Sequence, residues 1–143
     1  MSKTAAMLVT SVLAVTVLAG CGGDDPYCAA VKENQASLDS FGQKRTEKAF
    51  TTYAKALRAI ATDAPDTIKD DWSKLGAVTD GVLKAHDKVG LPLQDMTDTA
   101  KVAALDSDDL ARLNKAYDKF NDTGKQRKAV VADVKKTCDV TLK

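Results

Sequence analysis

The chain has 143 residues, 44% of them hydrophobic but only 5% aromatic, and a formal net charge of +1. This length suits one domain with a core of its own. Lys3 is the only charged residue among the first twenty, so the remainder carries 20 basic and 20 acidic side chains and is formally neutral. The balance argues against a nucleic-acid partner, because such proteins concentrate positive charge against the phosphates.

Residues 1–20 have the pattern of a secretory signal peptide. One cation, Lys3, precedes an apolar run at 5–17, and small residues follow at the expected cleavage point. The alternative is an uncleaved membrane helix at 4–20, which at about 1.5 Å per residue reaches roughly 26 Å, against a hydrocarbon core of about 30 Å. In both cases the chain after Cys21 is exported.

The stretch Leu18-Ala19-Gly20-Cys21 resembles the lipobox of bacterial lipoproteins. In that family a diacylglyceryl group is attached to the cysteine sulfur, the signal is removed, and the new N-terminal cysteine is often N-acylated with palmitate. The resemblance implies that Cys21 anchors the protein in membrane lipid on the exoplasmic face of a bacterial cell membrane, where two or more acyl chains give lasting attachment. We therefore predict a signal peptide at 1–20, a short linker with the lipidated cysteine at 21–25, and a helical domain at 26–143.

Two cysteines remain if Cys21 carries lipid. Because an exported domain is in an oxidising compartment, Cys28 and Cys138 are predicted to form a disulfide. A bridge that closes nearly the whole domain would stabilise it by about 4–5 kcal/mol in the chain-entropy model. Two buried free thiols are the alternative.

Three helices are predicted in the first half of the domain. The first starts at Asp25-Pro26 and stops near Gly42, because Asp caps helices, Pro suits their first turn and Gly ends them. The second covers about 46–62 with Thr46 as its cap, and the third about 65–89. The third has the most regular apolar stripe, which consists of Ile68, Trp72, Leu75, Thr79, Val82, His86 and Val89.

The second half is less regular. Residues 90–106 form a long connection with a short helical turn at 99–105, and Ser107 is predicted to cap the next helix. That helix is interrupted near 121–124, yet its apolar spacing resumes in phase and runs to Cys138, so we predict one kinked or split element.

These patterns predict an all-α fold after the signal helix, namely an up-and-down bundle of about four helices. No stretch alternates with period two for long enough to form a strand. Cys28 lies in the first turn of the first predicted helix, and Cys138 lies in the last turn of the final one. The two ends meet in such a bundle only if the number of long elements is even, which favours counting 107–138 as one unit.

Several short motifs also resemble small actinobacterial helical lipoproteins of uncharacterised function. They are Asp-Pro-Tyr-Cys at 25–28, Ala-Pro-Asp at 64–66, Asp-Trp at 71–72 and the late Cys138. The resemblance supports the fold and the location, and it implies no activity.

The residue inventory opposes a catalytic or metal site. His86 is the only histidine, whereas zinc sites need three or four ligands and di-iron bundles need paired Glu-x-x-His motifs. None of the serines has a nucleophile-elbow pattern around it. We therefore predict no enzyme activity, metal or cofactor, and interpret His86 as a packed residue.

By elimination, the sequence favours a non-enzymatic interaction module for an envelope protein or surface component. The connection at 90–106 is the predicted contact segment, with Leu91, Leu93 and Met96 as its apolar residues, since loops on rigid scaffolds often carry binding. The alternative is a carrier that holds a small apolar ligand in a cavity of several hundred Å³ between helices.

Overall fold

The computed structural model describes residues 25–143; the predicted signal helix, Cys21 and most of the linker lie outside the described residues. The described part is an all-α bundle, as predicted. Its helices are α1 (Pro26–Asp39), α2 (Glu47–Asp63), α3 (Asp66–Val89), a 3₁₀ helix (Leu93–Thr97), α4 (Thr99–Ala103), α5 (Ser107–Asn121) and α6 (Gly124–Cys138). Between residues 25 and 143, no helix combines the length and the apolar character needed to cross a membrane.

The bundle is built around α3. This helix packs against α2, α5 and α6, while α1 packs against α2 and α6. The last two helices follow each other antiparallel to α3: Leu113 packs beside Ala85, and Val130 lies in the same cluster as Leu75. The chain therefore makes four passes, with α5 and α6 sharing the fourth.

Side-chain caps fix where most of these helices begin. The Asp25 carboxylate accepts the backbone N–H of Tyr27 at 2.9 Å, and the Thr46 hydroxyl accepts that of Ala49 at 3.2 Å, as predicted. The prediction that Ser107 caps α5 is wrong. Asp106, one residue earlier, is the cap, because its carboxylate reaches the N–H of Asp109 at 2.8 Å and Ser107 is already helical.

The predicted stripe on α3 forms the spine of the core. Ile68, Trp72, Leu75, Thr79, Val82 and His86 are all buried. Trp72 and Leu75 pack in the larger cluster with α1, α2 and α6. Val82 packs in a second cluster with Phe50 and Phe120. The period of the apolar residues therefore set the face that α3 buries.

The break between α5 and α6 has a local cause at the carbonyl of Phe120. This oxygen, freed by the end of α5, accepts the Thr123 hydroxyl at 2.6 Å and the Arg127 guanidinium at 2.8 Å. Thr123 is fully buried, and the Arg127 guanidinium lies over the Phe120 ring, 4.6 Å from its centroid. The element predicted as kinked or split is therefore split at 122–123.

Cys28 and Cys138 meet at one end of the bundle, which we call the basal end. Their sulfur atoms are at disulfide distance and their Cα atoms are 5.2 Å apart, across a sequence separation of 110 residues. Beyond Cys138 the chain turns at Asp139 and returns along α1. Val140 is buried there, and the N–H of Lys143 donates to the Asp39 carboxylate at 2.7 Å.

A buried polar network also joins the first and last passes at the basal end. The Tyr27 hydroxyl donates to the Asp133 carboxylate at 2.8 Å and accepts the Trp72 indole N–H at 3.1 Å. Burial raises the pKa of Tyr27 well above its ordinary value, and the negative charge of Asp133 acts in the same direction. Tyr27 therefore stays neutral at pH values where an exposed tyrosine ionises.

This network predicts a pH-dependent cost for Tyr27→Phe. Near neutral pH the variant should lose about 1–3 kcal/mol of unfolding free energy, because Trp72 and Asp133 each lose a buried partner. Above about pH 10 the unfolded wild type ionises its tyrosine while the folded protein does not, so wild-type stability falls with pH and the gap to the variant narrows. Guanidinium unfolding from about pH 7 to 11 measures both effects.

Tyr53→Phe is the matched control. Burial also raises the pKa of Tyr53, but its hydroxyl forms no hydrogen bond within the described residues, so its neutral-pH loss should be much smaller. A gap between wild type and Tyr27→Phe that stays constant across this pH range would contradict the interpretation.

Candidate functional site

An open groove lies at the end of the bundle opposite the Cys28–Cys138 pair, which we call the distal end. It encloses about 460 Å³. Two connections that are far apart in sequence meet there: 40–46 between α1 and α2, and 90–98 after α3. The groove is lined by Phe41, Gly42, Arg45, Phe50, Leu93, Gln94, Met96, Thr97, Tyr117, Phe120 and Asn121.

An aromatic cluster forms the floor of this distal groove. Phe41 is at its centre, stacked on Tyr53 with 3.8 Å between ring centroids. Its ring is 5.2 Å from that of Phe50 and 5.7 Å from that of Phe120. All three phenylalanines of the chain therefore meet here. Such tilted and stacked pairs stabilise the floor beyond simple burial.

The structure changes the predicted role of the 90–106 segment. Leu91 and Leu93 are only 5% and 3% exposed, so their side chains mainly hold the connection against the bundle, although Leu93 also forms part of the groove wall. Leu91 packs with Ala85 and Leu113, and Leu93 with Val82 and Phe120. Met96 is half-buried and borders the distal groove. Of the three predicted contact residues, Leu93 and Met96 line the groove and Leu91 does not, and Met96 is the more exposed of the two.

His86 holds this connection in place. Its Nδ1 lies 2.6 Å from the carbonyl oxygen of Leu91, which can only accept, so Nδ1–H is the donor. The other ring nitrogen, Nε2, lies 2.9 Å from the Tyr117 hydroxyl oxygen, which can donate to it or accept from it. His86 is 4% exposed and both of its ring nitrogens are bonded, as expected of a packed histidine. It connects α3, the connection and α5 at the edge of the groove.

The 3₁₀ helix is also tied to the start of α2. The backbone N–H of Glu47 lies 3.4 Å from the side-chain oxygen of Gln94, which lines the groove. The Lys101 ammonium forms an ion pair with the Asp95 carboxylate, with 2.8 Å between Nζ and Oδ2, and so links α4 to the 3₁₀ helix. The rim of the groove is thus held by contacts to two separate helices.

The electrostatics of the groove are simple. Arg45 is the one charged side chain among the described residues that line it. Burial raises the pKa of Tyr117, although the charge of Arg45 partly offsets this effect, so Tyr117 stays neutral at physiological pH. An apolar floor with a few polar groups at its rim suits binding of an apolar or aromatic group.

The aromatic residues of the groove were not predicted as a site from the sequence. The available signal was their position, since Phe41 lies in the turn after α1 and Phe120 in the last turn of α5, where a core side chain can also reach the surface. Among residues 25–143, no cluster of three or more histidine, cysteine, aspartate or glutamate residues is arranged to hold a metal ion.

Comparison with models of protein families, with curated proteins and with solved structures gave no match to this chain.

The contacts of His86 predict that His86→Leu will loosen the rim of the groove. The change should lower the free energy of unfolding by about 1–3 kcal/mol, because the Leu91 carbonyl and the Tyr117 hydroxyl each lose a buried partner. Amide hydrogen exchange should accelerate at 91–97 more than in α2. Lys74→Leu, at an exposed position of the same helix, is the control. Unchanged exchange at 91–97 in the His86 variant would show that the histidine does not hold the segment.

Proposed function

We propose that the protein is an exported, lipid-anchored helical module on the exoplasmic face of a bacterial membrane, without enzymatic activity, which engages an envelope protein or surface component through its distal groove. The Leu18-Ala19-Gly20-Cys21 stretch supports the anchoring. Between Cys21 and Pro26 the chain extends at most about 17 Å, so the basal end would stay close to the lipid headgroups.

The observation that carries this proposal is the position of the groove relative to the basal end. The first helix begins beside Cys28, only seven residues after Cys21, and the groove is at the other end of α3. With 24 residues, α3 is about 36 Å long. The groove floor packs against Val82, sixteen residues or about 24 Å along α3 from Asp66, so an anchor at Cys21 would hold the groove roughly that far above the basal end, facing the envelope.

The shape of the groove supports a protein or polymer partner. It is open on one side, and its rim comes from connections while its floor comes from packed aromatic rings. A fixed apolar floor can take one aromatic or aliphatic anchor from a partner, and such anchors dominate the affinity of many interfaces. Met96, Gln94 and Arg45 would surround that anchor.

A small apolar-ligand carrier is the second candidate. The groove volume of about 460 Å³ lies within the range of roughly 300–1,000 Å³ that is typical of ligand sites. It differs from the cavity expected from sequence in its position, since it is open at the distal end rather than enclosed between the helices. The two candidates differ in what becomes bound to the same residues.

Anchoring is tested by Cys21→Ser. Without the thiol no diacylglyceryl group can be attached, so we expect the protein to shift from the membrane fraction to the soluble exported fraction, or to accumulate with its signal uncleaved. Fractionation, together with the N-terminal mass of the product, measures this. Ser11→Ala, inside the apolar run, is the control. Retention of a Cys21→Ser protein in the membrane with its full leader would favour the uncleaved membrane helix.

The role of the groove is tested by site-specific photocrosslinking in native membranes. Probes at Gln94 and Thr97, on the rim, should give one discrete protein or polymer adduct, whereas a probe at Thr67, exposed near the basal end, should not. Met96→Glu should reduce the adduct about tenfold, because it places a charge on the apolar contact. Thr99→Glu, on exposed α4, should leave it unchanged.

Other crosslinking results would favour the carrier or argue against the groove. A low-mass adduct at the same two positions would identify the carrier alternative. If no adduct forms, or if Met96→Glu does not weaken the adduct that forms, the groove is not the contact site.

A further inference from the structure

A second cleft lies on the side of the bundle between α3 and α5. It has a volume of about 450 Å³ and lies beside the C-terminal half of α3 and residues 112–119 of α5. Basic side chains border it on both sides. They are Lys84 and Lys88 on α3, and Arg112, Lys115 and Lys119 on α5.

The positive charge of this cleft is not balanced locally. No carboxylate is among its lining residues, and within residues 25–143 none of these five cations has a carboxylate oxygen within 4 Å, whereas Arg58, Lys101 and Lys135 each have such a partner. The chain after residue 20 is formally neutral, with 20 basic side chains. One quarter of them border this single cleft, which creates a local positive potential that favours an anion.

The floor of the cleft is apolar and made of small residues. Gly81 and Ala85 of α3 and Ala116 of α5 lie there. A Cβ atom added at Gly81 would meet no atom within 4 Å, so there is free space directly above this position. Lysine stems are four methylene groups long and commonly lie along apolar surface while the ammonium group stays in water. The floor and the stems together form an apolar channel bordered by cations.

We propose that the α3–α5 cleft binds a single-chain anionic amphiphile, such as an alkyl phosphate or a fatty acid. The alkyl chain lies on the small residues between the lysine stems, and the anionic head is held by the ammonium and guanidinium groups. A fully polar anion would leave the floor unused, and a neutral lipid would leave the cations unused. This inference is independent of the distal groove and concerns a different set of side chains.

The location of the cleft favours a monomeric amphiphile over the headgroups of an intact bilayer. Its residues, 77–88 of α3 and 112–119 of α5, lie in the distal half of the bundle, away from the Cys28–Cys138 pair. Under the proposed anchoring, the basal end is the one near the membrane. The occupant is therefore a molecule that has left the bilayer.

The test is photoaffinity mapping on the full chain in phosphatidylcholine vesicles. The probe is a decyl phosphate that carries a diazirine on its alkyl chain, and labelled peptides are identified by mass spectrometry. We expect labelling within 77–88 and 112–119. An alkyl glucoside with the same diazirine should label these peptides at least about tenfold less, because it lacks the charge that the cations recognise. Inorganic phosphate alone should compete poorly, because it lacks the chain.

Two variants with different mechanisms are compared with a matched control. The double variant Lys84→Glu, Lys115→Glu should reduce labelling by the decyl phosphate probe at least about tenfold, because it reverses the charge on both borders of the cleft. Gly81→Leu should also abolish it by filling the floor, and this change is compatible with the fold because the position is open and helical. Lys48→Glu with Lys55→Glu, which changes the charge equally on exposed α2 positions, should have no effect.

Equal labelling by the phosphate and glucoside probes, or equal labelling of wild type and both cleft variants, would overturn the proposal. Loss of labelling when the vesicles contain phosphatidylglycerol would overturn it in favour of bilayer headgroups. Competition by an acidic polymer, poly-L-glutamate, to the same extent as by unlabelled decyl phosphate would overturn it in favour of a macromolecular polyanion.

Discussion

The constraint on which the structure depends is the meeting of its first and last helices at one end. Cys28 and Cys138 are at disulfide distance there, and the Tyr27 hydroxyl reaches Asp133. A chain that begins and ends at the same end of a bundle must make an even number of passes. The connections at 40–46 and 90–98 therefore meet at the opposite end, where they form the distal groove. The proposed attachment and recognition ends are opposite for this reason.

The fourth pass explains how one bundle can carry two different surfaces. Helix α5 turns Tyr117 and Phe120 toward the aromatic groove, and it turns Lys115 and Lys119 toward the basic cleft. Tyr117 and Phe120 are three residues apart and so share one face of α5, whereas Lys115 and Lys119 are four apart and share another. The break at 122–123 then allows α6 to continue along α3 to the basal end. The groove suits an uncharged apolar group and the cleft an anionic one, so a single ligand class would not satisfy both.

The sequence predicted the long helices well because their apolar periodicity is a local property. It was less accurate where two neighbouring residues compete, as at Asp106 and Ser107, since both can cap and only backbone geometry decides between them. Leu91 and Leu93 could equally be buried or exposed in an irregular segment, and tertiary packing buries them. The basic cleft was not predicted, because the lysines of α3 and α5 resemble separate solvated faces until packing brings them together. The signal peptide and the lipidation of Cys21 concern residues outside the described range and stay predictions.

The most direct test of the proposed organisation is the intact mass of the protein extracted from its native membrane, measured after alkylation with and without prior reduction. We expect a chain that begins at Cys21 and carries a diacylglyceryl group, with no alkylated thiol before reduction and two afterwards, at Cys28 and Cys138. A chain that begins at Met1, or one with two thiols alkylated without reduction, would contradict the lipid anchor or the closed basal end, respectively.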